Sequence, residues 1–95
     1  MTDIIEADEN LFLALGFPPH EAEILQMRAD LMGKLRLWIR DSGLTQEEAA
    51  ERLGITQSRV SNLVRGQWKK FSLDMLLTLA AKAGLQFKIE LDWAA

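Results

Sequence analysis

The chain has 95 residues, 48% of them hydrophobic, and a formal net charge of −3. That length suits one small domain with a thin core, of the kind that often gains stability by pairing with a copy of itself. The lack of cysteine excludes disulfides, thiolate metal sites and a thiol nucleophile and fits a reducing cytosol. No apolar run approaches the ~20 residues that span a bilayer, and the opening "MTDIIEADEN" is acidic where a signal peptide would be basic. The expectation is a cytoplasmic protein with no membrane partner.

Residues 1–17 read as an acidic segment with a short helix. The first nine show no period. "NLFLALG" gives one or two helical turns, with Asn10 as N-cap and Gly16 as the stop. "FPPH" is a turn that puts Pro19 near a helix start. A long helix then runs from about Pro19 to Asp41. Its apolar stripe is Ile24, Leu25, Leu31, Met32, Leu35, Trp38 and Ile39, which makes Trp38 a core residue. Gly33 interrupts the stripe at a cost of ~1 kcal/mol against alanine. Its missing side chain leaves room for a neighbour to come close. Met27, Leu37, Met75 and Leu79 fall off the main stripes and read as peripheral packing or as a partner surface.

"DSG" ends the long helix. Thr45 and Glu48 have the spacing of a capping box, so a helix starts at Gln46. Gly54 ends it after about two turns. Thr56 caps the next helix, with Val60 one turn in. Ala50 is the small residue at the helix crossing, and Ala49, Leu53, Ile55, Val60 and Leu63 fill the space between the two helices. "RGQWKK" is a loop, in which Trp68 packs on the body or rests on a sugar–phosphate backbone. Ser72 caps a helix over roughly Leu73 to Ala83, with Leu73, Leu76, Leu77 and Ala80 facing the core and Gly84 beyond its end. In "LQFKIELDW", Leu85, Phe87, Ile89, Leu91 and Trp93 alternate with polar residues, the period of a strand with one buried face.

The charges are unevenly placed. Residues 1–30 hold seven acids and one base, Arg28. From Arg52 to Ser72 there is no acid, but there are Arg52, Arg59, Arg65, Lys69 and Lys70. Beyond a Debye length of ~8–10 Å charges are largely screened, so an acidic chain can still present one basic face to phosphate. On the helix that Thr56 opens, Gln57, Ser58, Arg59, Ser61, Asn62 and Arg65 stay outside the apolar stripe. Arginine suits guanine, and glutamine or asparagine suits adenine. Gln46, at a helix N-terminus, suits a phosphate contact. The expected DNA-binding set is Gln46, Thr56, Gln57, Ser58, Arg59, Ser61, Asn62, Arg65, Lys69 and Lys70. Of these, Gln57, Ser58, Arg59, Ser61 and Asn62 would face bases, while Gln46, Arg65, Lys69 and Lys70 would hold phosphates.

"LTQEEAAERLGITQSRVSNLVRG" resembles the helix-turn-helix of the XRE/Cro family, the phage repressors and their bacterial relatives. The likeness runs position by position from Gln46 to Gly66. The flanks "NLFLALGFPPHEAEILQMRADL" and "RGQWKKFSLDMLLTLAAKAGLQFKIEL" resemble short HigA-like antitoxins of type II toxin–antitoxin operons. The resemblance implies a mostly α-helical, phage-repressor-like bundle of about five helices with a short C-terminal strand. Residues 18–84 would be the DNA-binding domain, with its motif at 45–66.

A lone strand leaves its backbone hydrogen bonds unmet, so residues 85–95 are expected to pair across a homodimer through Leu85, Phe87, Ile89, Leu91 and Trp93. A dimer suits a palindromic operator. The resemblance also implies a small basic RelE-like toxin as a partner. The acidic first third complements such a surface, with Leu11, Phe12, Leu13, Leu15 and Phe17 as apolar anchors.

Other chemistry lacks a constellation. His20 is the only histidine, and "HEAE" has neither the histidine pair nor the spacing of a zinc-protease helix. The serines have no nucleophile elbow, and no glycine-rich phosphate loop is present. The expectation is no enzyme, no cofactor and no metal. Two alternatives to the antitoxin reading stand beside it. One is a solitary XRE-family regulator without a toxin; the other is a protein-interaction module that has lost DNA binding.

Overall fold

The computed structural model describes residues 10–86, 88, 91 and 92. Among them, five α-helices follow one another: α1 (Leu11–Ala14), α2 (Pro19–Ser42), α3 (Gln46–Leu53), α4 (Gln57–Val64) and α5 (Leu73–Lys82), with a 3₁₀ turn, Trp68–Lys70, before α5. Helix starts leave backbone N–H groups open, and side-chain oxygens meet them here. Asn10 accepts from the amides of Phe12 and Leu13, Thr56 from Arg59, and Ser72 from Met75. Thr45 and Glu48 close the expected capping box in both directions. Pro19 stands in the first turn of α2, where its missing N–H costs nothing. The Ser42 hydroxyl donates to the Ile39 carbonyl and accepts from the Leu44 amide, turning the chain out of α2.

The 24-residue α2 is the spine, ~36 Å long at the usual rise. It packs against α1, α4 and α5, while α3 packs on α4 and α5. Met32, Leu35 and Ile39 of α2 meet Ala49, Ala50 and Leu53 of α3, Val60 and Leu63 of α4, Phe71, and Leu76, Leu79, Ala80 and Ala83. Phe71, Leu35, Leu53, Leu63, Leu76 and Val60 are fully buried. Each such side chain contributes roughly 1.5–3 kcal/mol relative to exposure. Trp38 packs half-buried at the edge of this core.

The helices and the tail depart from the sequence reading in three places. Leu79 is buried and Met75 packs on the core, although both fall off the α5 stripe, whereas Leu73 and Leu77 are only half-buried. The reason is that α5 is covered by both α2 and α3, so its buried arc is wider than one stripe. On α2 the stripe fades toward the N-terminus: Ile24 is exposed, because only the short α1 lies over that end. The third place is the C-terminal strand, which is not formed among the described residues. Leu85, Gln86, Lys88, Leu91 and Asp92 have no regular structure, while Phe87, Ile89 and Trp93 lie outside the described residues. A strand needs a partner for its backbone groups, and the described residues of one chain offer none. Leu85 instead donates its amide to the Ala80 carbonyl, closing α5, and packs on the core. Leu91 is 91% exposed.

The capping box carries a charge with a measurable signature. The Glu48 carboxylate accepts the Thr45 amide at 2.9 Å. That bond, followed by the Thr45 side chain, holds its pKa below the ordinary 4.5. A depressed folded-state value means the contribution is complete above the unfolded value and is lost as pH falls through the folded one. Glu48→Gln keeps the acceptor but removes the charge. Urea unfolding from about pH 6 to about pH 3 should therefore show wild type losing its margin over Glu48→Gln as the pH drops. A margin constant with pH would contradict this account of the box.

Candidate nucleic-acid interface

Three residues separate α3 from α4. Gly54 adopts a left-handed conformation with φ 68°, donates to the Ala50 and Glu51 carbonyls and reverses the chain. Such a φ strains any residue with a Cβ by roughly 1–2 kcal/mol. Ile55 then donates to the Ala50 carbonyl and tucks against the core. With Ala49 and Ala50 buried at the crossing, α4 lies close on α3 and buries Val60 and Leu63.

This geometry decides what α4 presents. Gln57, Ser58 and Arg65 are exposed, as are Thr56 at the cap and Gln46 at the start of α3. Ser61 and Asn62 are half-buried, and Asn62 accepts from Arg65 Nη2 at 3.3 Å. Lys69 and Lys70 are exposed on the 3₁₀ turn just beyond. These side chains are carried by α3, α4 and the following loop.

Arg59 is the member of the expected set that the fold holds back. Its guanidinium lies 4.4 Å from the centre of the Phe71 ring. Nη1 donates to the Lys70 carbonyl at 3.2 Å and Nη2 lies 3.2 Å from Met75 Sδ. It ties α4 to the loop and to α5, and it is half-buried.

The loop is braced from the other side as well. Arg28 of α2 donates to the Phe71 carbonyl from Nε at 3.0 Å and from Nη2 at 2.7 Å, and to the Trp68 carbonyl at 2.9 Å. Its guanidinium also lies 5.1 Å from the Trp68 ring centre. Trp68 meets Phe12 of α1 edge-on at 5.9 Å, and Phe12 meets Phe17 at 5.8 Å. Trp68 thus packs on the body. Phe12, expected among the exposed anchors, is buried beneath it. Leu11, Leu13, Leu15 and Phe17 are exposed around it.

The sequence reading gave no structural role to Arg28 and did not single out the bases Lys34, Arg36 and Arg40 of α2. Arg36 comes within 3.2 Å of where a Cβ on Gly66 would stand, so it borders the end of α4. Its signal was present as a run of bases on α2, but a run of charge on a long helix reads as an ordinary solvated face.

The chain matches the family described as "Helix-turn-helix domain" over residues 15–92. It belongs to that helix-turn-helix family. The match spans α2 to α5 rather than the two-helix motif alone, which supports a DNA-binding regulator. No curated protein matches the chain. Among the described residues, no helix is long and apolar enough to cross a membrane.

The helix-turn-helix geometry assigns Arg59 and Gln57 different energetic roles. A partly desolvated cation–π contact and a charge-assisted hydrogen bond together stabilise by about 1–3 kcal/mol. Arg59→Ala should lower the urea unfolding free energy by about that much, whereas Gln57→Ala, on the exposed face, should change it by less than about 0.5 kcal/mol. Equal losses in the two variants would remove the distinction drawn here.

Proposed function

We propose that this protein is a sequence-specific transcriptional repressor that binds a palindromic operator as a homodimer. The observation that carries the reading is the acid-free face of α4, where Gln57, Ser58 and Arg65 are exposed beside Lys69 and Lys70. Gln57 and Ser58, in the first turn, have the reach to contact base edges in a major groove, with Ser61 and Asn62 following along the helix. Gln46, Arg65, Lys69 and Lys70 would hold phosphates, with Thr56 at the α4 cap beside them. Arg59 acts in this reading as a brace that keeps the loop lysines in place. It reaches bases only if DNA draws it off Phe71.

A dimer sets two recognition helices ~34 Å apart, the repeat of a palindrome. Leu91, open to solvent, would join the copies together with Phe87, Ile89 and Trp93 of the alternating tail, while Leu85 anchors that tail to the core.

The more specific reading is a HigA-like antitoxin in the cytoplasm that also neutralises a small basic RelE-like toxin. Its support is the acidic first third, with seven acids against one base in residues 1–30, and the apolar residues exposed within it. Leu15 is 65% exposed, and Leu11, Leu13, Phe17 and Ile24 are open as well. Asn10 Nδ2 donates to the Ala22 carbonyl and Gln26 accepts from the Leu11 amide, so α1 lies along the first turns of α2 and these residues share one end of the molecule. Complementary charge speeds association, and buried apolar anchors slow release.

One gel-shift experiment on the gene's own upstream DNA tests both levels. Gln57→Ala/Ser58→Ala should weaken operator binding by ~1–3 kcal/mol per lost base contact while leaving random DNA unaffected. Leu13→Lys/Leu15→Lys should bind operator like wild type but fail to capture the product of the adjacent open reading frame. Point changes are preferable to deletion, because Phe12 supports Trp68 and removing it would disturb the DNA-side loop. Loss of neither activity would refute both assignments. Operator binding without any captured neighbour would leave a solitary regulator.

A further inference from the structure

Gly33 stands in the middle of α2, where glycine weakens a helix. A Cβ built there would meet nothing within 4 Å, so none of the described residues fills the space its missing side chain leaves. That space opens into a groove of about 770 Å³. Gly33, Leu37 and Val64 contribute its apolar lining. Lys34, Arg36 and Arg40 contribute three bases against one acid, Asp30. Among the described residues the only ion pair is Arg40 with Asp41, at 2.9 Å, so Lys34 and Arg36 have no acid partner there. Asp30 already accepts a hydrogen bond from Gln26 at 2.9 Å.

The groove adjoins the recognition helix. Val64 lies seven residues from Gln57 and three from Ser61, so the three share one side of α4. Arg36 abuts Gly66, next to exposed Arg65. A strand of DNA leaving the α4 face on this side would run past Arg65 to Arg36.

We propose that this groove seats the sugar–phosphate backbone of bound DNA, with a phosphate on Arg36, Lys34 as the second cation and a deoxyribose against Leu37 and Val64. The proposal rests on the DNA-binding reading and extends its footprint from the helix-turn-helix to the middle of α2. Gly33 has a role in it: the space without a side chain lets the backbone approach. The excess of bases favours a polyanion over another helix as the occupant.

Fluorescence anisotropy with a mixed-sequence DNA duplex, measured over a salt series, tests this without knowledge of the operator. Arg36→Gln should weaken binding several-fold at low salt, equally for every sequence. It should also reduce the slope of log K against log salt by about 0.9, the loss of one phosphate contact. Gly33→Leu should melt at the same temperature as wild type or higher, since leucine favours helix, yet bind DNA more weakly. Wild-type affinity and slope in both variants would overturn the proposal while the α4 reading stood. A changed sedimentation mass in Gly33→Leu, with the DNA slope intact, would make the groove a contact between copies and overturn it equally. If the wild type bound no duplex at all, the DNA-binding reading itself would fail.

Discussion

The surface that α4 presents depends on Phe71. Its ring is fully buried. Its carbonyl accepts two bonds from Arg28 of α2, and Arg59 of α4 lies across the ring. One residue therefore joins the spine, α4 and the start of α5. A loop carrying Lys69 and Lys70 would otherwise be free to swing, and ordering it on binding DNA would cost conformational entropy. Here that ordering is present before any ligand arrives. Truncating Phe71 would remove a fully buried aromatic, a loss of about 3–5 kcal/mol, and leave Arg28 and Arg59 without their anchor.

The same junction links α1 to the loop. Trp68 precedes the loop lysines and rests against Phe12, which lies under the exposed apolar residues of α1. Helix α1 and the loop that carries Lys69 and Lys70 are thus connected by aromatic contacts. This arrangement resolves the paradox of an acidic protein with a DNA-binding motif. Seven of the fourteen acids fall in residues 1–30, while α4 and its loop hold none. Charges separated by more than a Debye length are largely screened from one another at physiological salt.

Much of the fold was legible because its punctuation is local. Asn10, Thr45, Thr56 and Ser72 cap helices that begin at the next residue, and Gly54 turns the chain where the motif requires it. Each signal is complete within three or four residues of sequence. What was not legible depends on partners far along the chain. Arg59 points outward on a helical wheel, but Met75, 16 residues later, and Phe71 draw it back. Arg28 reads as a lone base among acids until Phe71, 43 residues away, supplies its acceptor. Leu79 is buried because two helices cover α5 rather than one. Alternation in the tail gives a strand period but cannot supply a second strand, and the described residues there remain irregular.

The central claim is that a pre-braced face made by α3, α4 and the following loop is where DNA binds. Amide chemical-shift mapping of the labelled protein with its own upstream duplex tests it most directly. The account predicts perturbations concentrated at Gln46, Gln57, Ser58, Ser61, Arg65 and Lys69, with little change along α1. Perturbations centred on Leu11–Phe17, with α4 silent, would contradict it.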